Sequence, residues 1–102
     1  IGNLLVLYDD IDLPFGRISI RGSGGSGGHR GMESILMHVR TSLFPRVRLG
    51  IGRPEDSDVS GYVLSIFTVE EQAILDSILG RAKDAVELIQ IKGIEEAMNR
   101  FN

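Results

Sequence analysis

Leu4-Leu5-Val6-Leu7-Tyr8 is a continuous apolar run with no charged residue on either face of a strand. A half-buried strand alternates, so an unbroken apolar run predicts a strand covered on both sides, as in a parallel or mixed α/β sheet. The run ends in Asp9-Asp10-Ile11-Asp12, and Asp-Leu-Pro-Phe-Gly (12–16) is turn chemistry. Two further segments do alternate. In Arg17-Ile-Ser-Ile-Arg21, Arg17, Ser19 and Arg21 share a face; in 46–52, Val47, Leu49 and Ile51 oppose Arg46 and Arg48. Between these segments Met32, Ile35, Leu36 and Val39 recur at helical spacing. Residues 53–60 are polar, and 61–67 read as a short strand. Thr68-x-x-Glu71 is a capping box opening a long helix with Leu75, Leu79, Ala82, Val86 and Ile89 on one stripe. Gly93 interrupts it, and Ile94, Ala97, Met98 and Phe101 give a last amphipathic segment. The expected architecture is a single α/β domain over residues 1–102: a mixed twisted sheet, Leu4–Tyr8 central, with the helix from Thr68 packed on one face.

The absence of cysteine excludes a disulfide framework and a thiolate metal site. No segment approaches the roughly 20 apolar residues of a membrane span, and no signal peptide opens the chain, which predicts a cytoplasmic protein. The net charge of −3 hides an asymmetry. Residues 15–53 hold seven arginines and one acid, whereas residues 54–102 hold ten acids and four bases. A basic middle third made of arginine, the fork-shaped phosphate binder, suggests a polyanionic partner. The competing reading spreads those arginines over a solvated surface, with Arg46 and Arg53 paired to the acidic C-terminal helices.

"RGSGGSGGHRG" (21–31) places six glycines in eleven positions. Its core, GSGGSG, fits the dinucleotide fingerprint and sits between a strand and a helix. The preceding strand alternates, however, where a dinucleotide-binding strand is apolar, and about 20 residues on the chain offers arginines rather than a ribose-binding acid. A nucleotide fold is therefore the weaker reading. A loop lined by backbone at a helix start suits a phosphate or a carbonyl oxygen. Arg21 stands at its entrance and His29 at its exit.

Asp-x-Asp-Leu-Pro-x-Gly (10–16), Ser-Gly-Gly-His-x-Gly (26–31) and Phe-Pro-Arg-x-Arg-x-Gly-Ile-Gly (44–52), in this order and spacing, resemble the bacterial-type peptidyl-tRNA hydrolases. "GYVLS" and "GIEEAMNRFN" resemble the family's later part. The resemblance covers the whole chain but only the second half of the family's protein, so the sheet is expected to be incomplete on its N-terminal side. The family's first half supplies an asparagine near the peptide and the histidine general base. The resemblance therefore implies that the isolated 102 residues are inactive.

The resemblance further implies cleavage of the ester between peptide and tRNA, without metal or cofactor, by a protein that is monomeric at full length. Asp9 matches the carboxylate that orients the catalytic histidine, while Asp10 and Asp12 serve the turn. Gly27, Gly28, His29 and Arg30 match the substrate-binding loop beside the 3′ end. Arg21 and Arg48 match the basic pair that clamps phosphate at the acceptor stem. Arg30 departs from the usual asparagine; arginine donates but cannot accept. An Asp9–His29 dyad can be written from the residues alone, but the family's base lies upstream. A plainer reading makes His29 a loop residue that fixes the helix start, and His38 a surface histidine. The alternative function is an RNA-binding module of the same fold without hydrolysis.

Overall fold

The computed structural model describes residues 4–52 and 69–102. Three strands, β1 (Val6–Asp10), β2 (Ile18–Arg21) and β3 (Arg46–Gly50), form one sheet in the order β1-β3-β2. β1 runs parallel to β3, and β2 antiparallel to it. The helices are α1 (Arg30–Val39), α2 (Val69–Lys92) and α3 (Ile94–Phe101). The mixed α/β sheet is as expected. The expected strand at 61–67, the polar loop, Arg53 and Thr68 of the capping box lie outside the described residues.

Two expectations need correction. The apolar run is not the middle of the described sheet. β1 is an edge there, begins at Val6 and carries Asp9 and Asp10 within it, and Leu7 is 42% exposed. The central place goes to β3, whose Val47 is fully buried. Alternation explains why: Val47 is the one β3 residue that faces both the helices and Ile20 across the antiparallel pair. The long helix also turns a different stripe inward. Ile78, Ala82 and Ala85 are buried, and Leu79 is 52% exposed. Residues 78, 82, 85 and 89 keep helical spacing, and alanine at two of them lets the helix approach the sheet closely.

The main core joins Ile18, Ile20 and Val47 from the sheet to Ile78, Ala82 and Ala85 of α2 and Ala97 of α3. The other face of β3 carries Arg46 and Arg48. By the register, Tyr8 and Ser19 flank Arg48 on either side.

The outer edge of β2 is closed by a side chain. The Ile20 amide donates to Asn102 Oδ1 at 2.6 Å, and Asn102 Nδ2 donates to the Ile20 carbonyl at 2.9 Å. One carboxamide thus satisfies both outward-facing backbone groups of Ile20, which a further strand would otherwise take. Asn102→Ala leaves both open, and the expected loss is about 1 kcal/mol, read as a lowered midpoint in denaturant unfolding. Asn102→Asp removes the donor, so it should lose at least as much.

Candidate functional site

The sequence motifs around 10–16, 22–31 and 44–52 converge on β3. The turn after β1 lies across the end of β3, held by four backbone bonds. Gly16 N–H donates to Gly50 O (3.2 Å), Gly50 N–H to Arg17 O (2.7 Å), Ile51 N–H to Asp10 O (3.1 Å) and Gly52 N–H to Leu13 O (2.9 Å). The glycine loop is tied to the segment before β3 through Gly24 N–H and Ser42 O at 3.2 Å.

Within the loop, Ser26 O accepts the His29 amide at 3.0 Å, closing a tight turn. Its central residues, Gly27 and Gly28, have φ of 59° and 88°. Positive φ at both positions is the type I′ pattern, which side chains disfavour. Turn geometry thus accounts for these two glycines. The turn delivers His29 to the N-cap of α1, where its Nδ1 accepts the Met32 amide at 3.1 Å. Gly31 leaves room for that ring, since a Cβ there would lie 3.0 Å from His29 Cε1. Nδ1 is the acceptor, so a neutral ring carries its proton on Nε2. That nitrogen lies 3.7 Å from Asp9 Oδ1, too long for a hydrogen bond.

Alternation separates the two acids of β1. Asp10 falls on the arginine face. Its Oδ2 lies 3.3 Å from Arg48 Nη1, and its Oδ1 accepts the Asp12 amide at 2.8 Å. Asp10 therefore serves the turn, as expected, and also partly neutralises Arg48, which the sequence did not show. Arg48 Nη2 further donates to Ser19 Oγ at 2.9 Å. Asp9 points the other way, and its side chain is half exposed.

A cavity of about 320 Å³ opens between the loop residues 23–27 and the sheet residues Tyr8, Asp10, Arg21, Arg46 and Arg48. Arg21 and Arg48 line it together. Asp9, Gly28, His29 and Arg30 do not. Tyr8 joins the two regions: its ring packs edge-on against His29, 4.8 Å between centroids, and also lines the cavity. Burial raises the Tyr8 hydroxyl above its ordinary pKa, against the pull of Arg48 and Arg46. Tyr8 was missed in the sequence because it closes an apolar run; its polar tip was the available signal. Arg30 opens α1 on the exposed surface, and exposed His38 turns back to Ser34 O at 2.7 Å.

Arg46 does not fit the competing reading. Among the described residues it pairs with no acid of the C-terminal helices; it is 2% exposed and held by backbone carbonyls.

The family model for peptidyl-tRNA hydrolase matches residues 1–102. The chain belongs to the peptidyl-tRNA hydrolase family. A peptidyl-tRNA hydrolase of Synechococcus sp. (strain JA-2-3B'a(2-13)) is 50% identical over 103 residues, covering 100% of this chain and 46% of that protein. One from Alkaliphilus metalliredigens is 50% identical over 100 residues, covering 98% of this chain and 54% of its own. The crystal structure of the Acinetobacter baumannii peptidyl-tRNA hydrolase superposes with a TM-score of 0.84 at 35% identity, over 96% of this chain and 50% of that one. The chain thus spans about half the length of these family members. No described helix is long and apolar enough to cross a membrane.

Proposed function

We propose that this chain carries the tRNA-facing part and the orienting carboxylate of an enzyme that hydrolyses the ester between peptide and tRNA, in the cytoplasm, where translation runs. The observation that carries the reading is the family match across residues 1–102. The cavity geometry supports it: a guanidinium pair beside a backbone-lined loop suits phosphate. Hydrolysis adds water to the ester carbonyl and expels the ribose oxygen, which takes up a proton. It needs an activated water and a held oxyanion. The family's general base lies upstream of the matched part. In this reading Asp9, one residue before the end of β1, orients such a base. Relatives named as hydrolases favour this over a binding-only module. Peptidyl-tRNA turnover by the protein carrying this chain tests the reading, and its absence rejects it.

Binding makes a second test. Affinity for a tRNA minihelix should fall as salt rises, because neutralised phosphates release counterions. Arg21→Ala and Arg48→Ala should each reduce the logarithmic salt slope by about one. Gly25 tests close approach better than Gly27. A Cβ at Gly25 meets nothing within 4 Å, and its φ is not in the positive region. Gly25→Val should weaken binding at every salt concentration with the slope unchanged. Wild-type binding by Gly25→Val would show that nothing passes close to that backbone.

A further inference from the structure

We infer that Arg46 is a positioning residue that sets the shape and the positive potential of the glycine loop for substrate; the substrate side of this inference rests on the hydrolase reading.

Arg46 is the largest fully buried side chain among the described residues. Its guanidinium clamps two segments at once. Nη1 donates to Gly25 O at 2.9 Å, and Nη2 donates to Ser42 O at 2.9 Å. Ser42 O also accepts the Gly24 amide at 3.2 Å. A single carbonyl therefore joins the loop backbone and the arginine. The guanidinium carbon sits 4.4 Å above the Phe44 ring, a cation–π arrangement that fixes the plane of the fork.

Among the described residues no carboxylate pairs with Arg46. Its neighbours are dipoles: three backbone carbonyls, the ring of Phe44 and the Tyr8 hydroxyl. Its Nε is buried without a hydrogen-bond partner. Burying a cation without a carboxylate partner is costly, and hydrogen bonds to carbonyls offset that cost only in part. Packing alone therefore does not account for an arginine here. Its position does. Arg46 lines the cavity together with Arg21 and Arg48, and in a low-dielectric wall its charge acts on an anion in that cavity more strongly than an exposed charge would. The same fork holds Gly25, a loop glycine whose missing side chain neither turn geometry nor packing explains.

The test uses Arg46→Lys and Arg46→Met in the protein carrying this chain. Lysine keeps the charge but cannot reach two carbonyls as a planar fork. Three quantities are read: melting temperature, hydrogen exchange of the amides at 24–28, and binding of a tRNA minihelix across a salt series. Arg46→Lys should raise loop exchange and weaken binding about tenfold with an unchanged salt slope, since a lost charged hydrogen bond is worth at least that factor. Arg46→Met should do the same and also lower the slope. If Arg46→Met does not fold, Arg46→Lys decides alone. Unchanged loop exchange in a folded variant overturns the anchoring. Raised exchange with wild-type affinity and slope overturns the role toward substrate. Failure of the wild-type protein to bind the minihelix rejects the hydrolase reading and the substrate role together, and the exchange data still decide the anchoring.

Discussion

Asp9→Asn should lower peptidyl-tRNA turnover by on the order of a hundredfold or more while leaving minihelix affinity within about twofold. The reason is positional. Asp9 is the penultimate residue of β1, on the face opposite the arginines and half exposed, and among the described residues its side chain has no hydrogen bond, only a 3.7 Å approach to His29 Nε2. It can hold a base supplied from elsewhere. An amide in its place keeps the shape but cannot accept through both oxygens, so the base loses its preferred tautomer and orientation. Phosphate contacts are untouched. Asp10→Asn should show the reverse division. It weakens the tie to Arg48, so the effect should appear in binding more than in the turnover of bound substrate. Wild-type turnover by Asp9→Asn would reject the assignment, whatever its affinity.

Gly50→Ala should be the most damaging single methyl group in the described part of the chain. A Cβ at Gly50 would overlap the Pro14 carbonyl oxygen, stand 2.9 Å from Leu13 Cβ and 3.1 Å from Arg17 O. Backbone cannot yield there without parting the turn from β3, because Gly50 itself bonds Gly16 and Arg17 through its own carbonyl and amide. The expected loss is about 3 kcal/mol, seen as a fall in melting temperature of more than about 10 °C or as insoluble protein. Gly80→Ala is the control. It lies within α2 with nothing within 4 Å of the added Cβ, so it should be neutral or stabilising by up to about 1 kcal/mol. Equal melting temperatures for the two variants would show that the turn does not press on β3 in solution.

β2 and β3 were legible because arginine and aliphatic residues alternate there with period two, and nothing else folds such a pattern. β1 was legible as a strand but not in its place. Five apolar residues in a row say that both faces want cover, and they do not say which neighbours provide it. The stripe of α2 was misjudged because two phases share Ala82 and Ile89. Choosing between them needs the distance to the sheet, and that distance is what the small side chains set. For the candidate site, motif order put candidates forward, and Arg21 and Arg48 do share one cavity, yet three relations depended on tertiary structure: the tie between Asp10 and Arg48, the Tyr8 ring between His29 and the cavity, and the burial of Arg46. Periodicity puts Arg46 and Arg48 on one face alike. Only the close passage of the glycine loop and residues 42–44 over the first of them makes one buried and the other accessible.

The amide of Asn102 reaches β2 across 82 residues of chain. Contacts of such separation are late ones in folding, because the entropy of closing the intervening loop has to be met before the bond returns anything. Until α3 docks, β2 therefore has a bare margin, and the partly folded chain is a template on which another copy can register. How long the outer margin of β2 stays open is then set by the docking of α3 as well as by formation of the sheet.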